Sequence, residues 1–256
     1  MKSVGSLYSY LDKEIPKELS LSWDNDGLMV CSDPERECKR VLLALDVTRE
    51  TVDYGIREGF DVIISHHPLI FKALKSVNTF SFVSEKVIKL IKNDVAVFSF
   101  HTRLDAFSGG VNDALAQRLG LEEIEAFGSE DEMIGRTGIL ANECSLADII
   151  KKVKDTLGCE RLTCVDSGKM VKKVCLVGGD GKDFLKDAFL SGADLYITGA
   201  MSYNSMLDAA DMGISVIEAG HFESENPVLE ELEKMIKEFD GGIYIERFFS
   251  NPVITV

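Results

Sequence analysis

One spacing occurs twice in this chain, and few folds accommodate it. An apolar run at 41–45 leads through a helix-like stretch to Gly59 and a second apolar run at 61–65. A run at 174–177 leads in the same way to Gly192 and a run at 194–198. Val41 precedes Gly59 by 18 residues, and Val174 precedes Gly192 by 18. Gly-Phe-Asp-Val-Ile-Ile-Ser from Gly59 lines up with Gly-Ala-Asp-Leu-Tyr-Ile-Thr from Gly192. A third apolar run follows each pair, 95–100 ending at His101 and 214–217 leading to His221. Continuous apolar runs of this length suit strands covered on both faces, and strands joined by a helix pair in parallel. The predicted class is α/β, with two similar α/β domains related by internal duplication.

Cap signals place the helices. Thr48 reads as the N-cap of a helix carrying Val52 and Ile56, and Ser145 with Asp148 as a capping-box variant before Leu146, Ile149, Ile150, Val153 and Leu157. Pro227 fits the first position of a helix with Val228, Leu229, Leu232, Met235, Ile236 and Phe239 along one face. The acidic, apolar-poor stretch 128–133 reads as a link. The predicted domains are 1–127 and 128–256, with the C-terminal segment packing back on the first.

Charge narrows the function. The chain of 256 residues has 28 Lys plus Arg against 43 Asp plus Glu, a net charge of −15, and no basic stripe offsets it. Such a surface repels a phosphate backbone, so nucleic acid is not an expected partner; a small-molecule substrate is. No stretch has the roughly 18 uncharged apolar residues of a membrane span, and Asp12 and Glu14 fall too early for a signal-peptide core. Cytoplasmic residence is the expectation. The six cysteines form no Cys-x-x-Cys pair and read as reduced thiols.

The four histidines, at 66, 67, 101 and 221, all come directly after apolar strand-like runs. Ligand sites in open α/β sheets lie outside the carboxyl ends of strands. Carboxylates accompany two of them: Asp105 lies four residues after His101, and Glu225 four after His221. This mixed nitrogen and oxygen set suits zinc, manganese or ferrous iron better than magnesium or calcium. It holds more ligands than one ion needs and enough for two, and such ions lower the pKa of bound water to about 7. A hydrolase is the leading expectation, with a non-catalytic metal-binding or regulatory scaffold as the alternative.

Weaker signals stay open. Gly178-Gly-Asp-Gly181 reads as a turn or a phosphate cradle, and Gly109-Gly110 is similarly ambiguous. Trp23-Asp24-Asn25 reads equally as substrate contacts or as a turn with a packed indole.

Six motifs carry a resemblance: Trp23-Asp-Asn-Asp-Gly-Leu-Met, Leu45-Asp-Val-Thr48, Ser65-His-His-Pro-Leu-Ile-Phe71, His101-Thr-Arg-Leu-Asp105, Gly109-Gly-Val-Asn-Asp113 and Gly220-His-Phe-Glu-Ser-Glu225. In these the chain resembles the Nif-three-like dinuclear metal centre family, also called GTP cyclohydrolase 1 type 2 homologs. The resemblance implies a metal pair in the cleft between the two domains and a homohexameric toroid. It puts His66, His67, Asp105, His221 and Glu225 at metal-ligand positions, with Glu225 the bridge. His101 becomes a ligand or the catalytic proton shuttle. The chain departs from the family pattern at Arg103, Ala200 and Asn204. Its length matches compact members without a large inserted middle domain.

Overall fold

The computed structural model describes residues 2–129 and 132–253. In chain order its elements are α1 (Val4–Glu14), β1 (Gly27–Val30), β2 (Arg40–Ala44), α2 (Arg49–Arg57), β3 (Val62–Ser65), α3 (Phe82–Lys92), β4 (Ala96–Ser99), α4 (Thr102–Ala106) and α5 (Val111–Arg118). There follow β5 (Leu121–Ser129), β6 (Glu132–Cys144), α6 (Leu146–Leu157), β7 (Thr163–Val165), β8 (Val171–Val177), α7 (Leu185–Leu190), β9 (Leu195–Thr198), α8 (Tyr203–Met212), β10 (Ser215–Glu218), α9 (His221–Glu225), α10 (Val228–Phe239) and β11 (Tyr244–Arg247).

The elements form two compact α/β units. Residues 2–104 and 229–253 make the first, and 105–228 the second. In the first, the sheet order is β1-β4-β3-β2-β11. Strands β4, β3, β2 and β11 run parallel, and β1 closes the edge antiparallel to β4. Every residue of β3 and β4 is buried, as their unbroken apolar runs require. Leu42, Ile63 and Val97 pack with Val52 of α2 and Leu90 of α3 in one core.

The second unit has the order β5-β6-β8-β9-β10-β7, parallel through β8, β9 and β10 and antiparallel at both flanks. Alternating side chains feed separate cores on its two faces. Leu176, Ile197 and Ile217 pack with Ile149 and Val153 of α6. Val177, Tyr196 and Val216 pack with Phe184 and Leu185 on the other face.

The repeated Gly-x-Asp has one structural use in both units. Asp61 Oδ2 accepts the backbone N–H groups of Lys39 and Arg40 at 2.8 and 2.9 Å, and its own N–H donates to the Arg40 carbonyl. Asp194 Oδ2 accepts those of Lys172 and Lys173 at 3.0 and 2.9 Å, and its N–H donates to the Lys173 carbonyl. Each aspartate thus fastens the start of the neighbouring parallel strand, satisfying donors that no ladder reaches.

The cap signals are met: Thr48 accepts from Thr51 N, and Ser145 and Asp148 form a reciprocal capping box. The 128–133 segment is not an interdomain link. Residues 128, 129, 132 and 133 belong to β5 and β6, an antiparallel hairpin closed at Ser129 opposite Glu132, while 130 and 131 lie outside the described residues. A short, acidic, apolar-poor run suits a hairpin tip as well as a linker, and composition alone does not separate them. The units divide after Leu104 instead of 127, because α5 packs Leu115, Ala116 and Leu119 into the second unit's core. Among the described residues no helix is long and apolar enough to cross a membrane.

Candidate metal centre

Strands β3 and β4 end side by side at Ser65 and Ser99, whose hydroxyls are 2.9 Å apart. The Ser65 hydroxyl also donates to the His67 carbonyl at 2.8 Å, drawing the chain into a tight turn as it leaves the sheet. His66 and His67 follow β3, and His101 follows β4. Their ring centroids lie 4.9, 5.3 and 5.6 Å apart. Each offers a ligand nitrogen, all three within 4.8 Å of one another.

Each ring is oriented through Nδ1. That atom lies 2.9 Å from the Phe100 carbonyl in His66, 2.9 Å from Asp46 Oδ1 in His67 and 2.9 Å from Asp24 Oδ1 in His101. An Nδ1–H donating to oxygen makes Nε2 the basic nitrogen, the tautomer that a metal-binding imidazole uses. The donor set therefore fits a divalent cation of the zinc, iron or manganese type.

The segment 23–27 supports this set. Burial works against ionisation of Asp24, but hydrogen bonds from His101 and Thr102 win and hold its carboxyl well below the usual range. Its oxygens accept from His101 Nδ1, from Thr102 N at 3.0 Å and from the Thr102 hydroxyl at 2.6 Å. Asp26 Oδ2 accepts from His101 N at 3.3 Å and pairs with Arg103 Nε at 3.2 Å. Arg103 is wholly buried, and its Nη1 donates to Asp12 Oδ1 and the Ile15 carbonyl at 2.8 and 2.9 Å. The departure at Arg103 is thus a structural pin between α1 and the segment carrying His101. Trp23 is not a packed indole. It is 54% exposed and stands edge-on to Phe71 and His101, at 6.0 and 6.2 Å between centroids.

In the second unit, His221 opens α9 and Glu225 ends it one turn later, with His221 Nε2 3.1 Å from Glu225 Oε2. The imidazole is 44% exposed and the carboxylate almost fully buried. The Gly178–Gly181 turn packs on this pair. A side chain at Gly179 would collide with Glu225 Oε1. The N–H groups of Gly178, Gly179 and Gly181 donate to Asn112 Oδ1, Ser224 Oγ and Thr198 Oγ1 at 2.7, 3.0 and 3.0 Å. These three donors of the turn are therefore engaged within the protein. Asn112 also donates to the carbonyls of Ile134 and Asp105 at 2.9 and 3.3 Å, while Asp113 accepts from Gly109 N and Arg136. Asp105 itself is buried on α4.

The strand ends match between units, but with an offset the spacing did not reveal. Phe100 N donates to the Ser65 carbonyl as Ala219 N does to that of Thr198. His101 therefore corresponds to Gly220, and His221 to Thr102. Gly199 stands where the first unit has His66. A side chain there would run into Ser224 Oγ and stand 2.7 Å from the Gly179 carbonyl oxygen. The room for a second imidazole pair is filled by α9 and the glycine turn.

The sequence model of the family described as Duf34/NIF3 (NGG1p interacting factor 3) matches residues 2–253. The chain belongs to that family. A Clostridium perfringens relative named GTP cyclohydrolase 1 type 2 homolog is 36% identical over 240 residues, covering 92% of this chain and 91% of the relative. A Schizosaccharomyces pombe relative named Protein NIF3 homolog is 30% identical over 277 residues, covering 100% and 96%. The crystal structure of Staphylococcus aureus protein SA1388 superposes with a TM-score of 0.89 at 26% identity, covering 99% of each chain. The α/β architecture read from the repeated spacing is that of this family.

The structure gathers His66, His67 and His101 in one unit and sets His221 beside Glu225 in the other. Asp24 orients His101, Asp46 orients His67 and Asp26 holds the backbone of His101, roles that the sequence motifs containing these aspartates do not name. For Asp24 and Asp26 the signal is a pair of acids after Trp23, and for Asp46 an acid after an apolar run; neither names a partner.

Proposed function

We propose that this chain binds a pair of divalent cations and acts as a metal-dependent hydrolase on a small nucleotide-like or phosphorylated substrate. His66, His67, Asp105, His221 and Glu225 are the ligands in this reading, with Glu225 the bridge. The observation that carries it is the imidazole cluster: His66 and His67 each have Nδ1 fixed by an oxygen at 2.9 Å, leaving Nε2 for an ion, and His101 offers a ring nitrogen within 4.8 Å of theirs. The resident ions would supply Lewis acidity and an acidic water.

The residues contribute the rest. His101, braced by buried Asp24, holds and passes a proton at Nε2. Trp23 and Phe71 offer exposed aromatic faces beside it for a planar substrate group. The buried Glu225 carboxylate brings negative charge to offset the cations.

Hydrolysis of nucleotides, phosphodiesters and phosphomonoesters, screened with zinc, manganese and ferrous iron, tests the reading. It predicts turnover that Glu225→Gln abolishes with the fold intact. Silence across all substrates and metals contradicts catalysis. A second reading, a metal-carrying scaffold, draws support from the second unit, where Gly199 and Ala200 replace the imidazole pair. Cytoplasmic residence is a proposal from the sequence and assembly into a hexameric ring one from the resemblance; sedimentation velocity tests the assembly.

A further inference from the structure

The connection from β3 to α3 runs over 66–81 without helix or strand. Connections this long are uncommon in compact domains and usually carry function. Between this loop, α3 and the loop after β2 lies a cleft of about 610 Å³, the size of a small-molecule site. His67 lines it, so the cleft opens onto the imidazole set.

Its charge runs against the rest of the protein. Lys72, Lys75 and Lys86 line it, and Asp46 is the one carboxylate among the lining residues. That carboxylate is turned to His67 Nδ1 at 2.9 Å. In a chain of net charge −15, three ammonium groups around one cleft form a local positive field. Lys86 is half-buried and anchored by a hydrogen bond to the Val47 carbonyl, which fixes its ammonium in place. Lys72 and Lys75 are exposed at the mouth. Leu69, Phe71 and Leu74 give the remaining wall apolar surface.

We infer that this cleft is the anion subsite of the substrate and takes a phosphate monoester with an apolar or aromatic body. The phosphoryl oxygens sit among Lys72, Lys75 and Lys86, and the body lies along Phe71 and Leu74. Lysine ammonium groups bind phosphate as point charges, and the apolar wall supplies contact area. The inference rests on the proposed function in one respect: it takes His67 as part of the reacting centre that the cleft feeds.

Calorimetric titration of phenyl phosphate onto the full chain tests it, at low ionic strength, on protein as purified and after dialysis against EDTA. The expected result is saturable one-to-one binding in both forms, weakened about tenfold or more in the Lys72→Ala/Lys75→Ala double variant and reduced by salt. Phenol, lacking the phosphate, should not bind measurably, and the double variant should keep the metal content of the parent. No saturable binding to the EDTA-treated chain overturns the inference. So does unchanged affinity in the double variant, or benzoate binding as tightly as phenyl phosphate. Protein purified without metal would sink the metal reading and leave the titration of the EDTA-treated chain to decide the cleft by itself.

Discussion

Asp24 Oδ1 stands 2.9 Å from His101 Nδ1, and the Asp24 side chain is completely buried beneath that contact. Burial disfavours the carboxylate, yet the hydrogen bonds from His101 and Thr102 keep its pKa depressed. A depressed pKa contributes stability above the unfolded value near 3.9, and the contribution is lost as pH falls through the folded value. Asp24→Asn, in EDTA-treated protein, should lower unfolding free energy at pH 7 by about 1–3 kcal/mol. Urea titrations should show the gap between parent and variant closing as pH falls below about 4. A gap independent of pH would remove the carboxylate from the account.

Gly199 admits no side chain, because Ser224 Oγ and the Gly179 carbonyl occupy its space. Gly199→Ala should cost about 1–3 kcal/mol by overpacking. Ser224→Ala in the same chain should recover only part, since the Gly179 backbone contact remains. Full stability in Gly199→Ala, measured by thermal or urea unfolding, would contradict the packing.

Asp61 and Asp194 fasten equivalent strand starts, so their loss should be equivalent. Asp61→Ala and Asp194→Ala each leave two backbone N–H groups without that acceptor. Each should cost about 1–3 kcal/mol. Amide exchange should quicken at Lys39 and Arg40 in the first variant and at Lys172 and Lys173 in the second, with no cross-effect.

Cys38 is 4% exposed, and burial together with the Asp61 charge pushes its thiol up to about 12. Cys164 is exposed. At pH 8 Cys38 should be alkylated by iodoacetamide roughly a hundredfold more slowly than Cys164, since the thiolate is the nucleophile. Mass spectrometry of tryptic peptides over time reads both rates; equal rates would contradict the buried placement.

Much of the fold was legible because its centre is made of runs that must be buried on both faces. The runs 61–65 and 194–198 name their strands to within a residue, and Thr48 and Ser145 name the starts of α2 and α6. The imidazoles were legible for the same reason: strands of that kind end at the sheet's carboxyl edge. The stretch 128–133 is ambiguous in sequence because an acidic, apolar-poor composition suits a hairpin and a linker alike. The roles of Asp24, Gly179 and Gly199 depend on partners 20 or more residues away, His101, Glu225 and Ser224, whose proximity no local pattern encodes. The offset between His101 and His221 is not legible in the sequence either, because both histidines follow apolar runs. Only the backbone hydrogen bonds of Phe100 and Ala219 show that the matching positions are His101 and Gly220.

In the proposed reading the imidazoles and acids hold metal. Inductively coupled plasma mass spectrometry of the full chain, purified without chelators, tests it most directly. About two divalent ions per chain are expected, falling by half or more in His66→Ala and in Glu225→Gln while circular dichroism stays unchanged. Fewer than about one ion per chain in the parent, or the same content in both variants, would contradict the account.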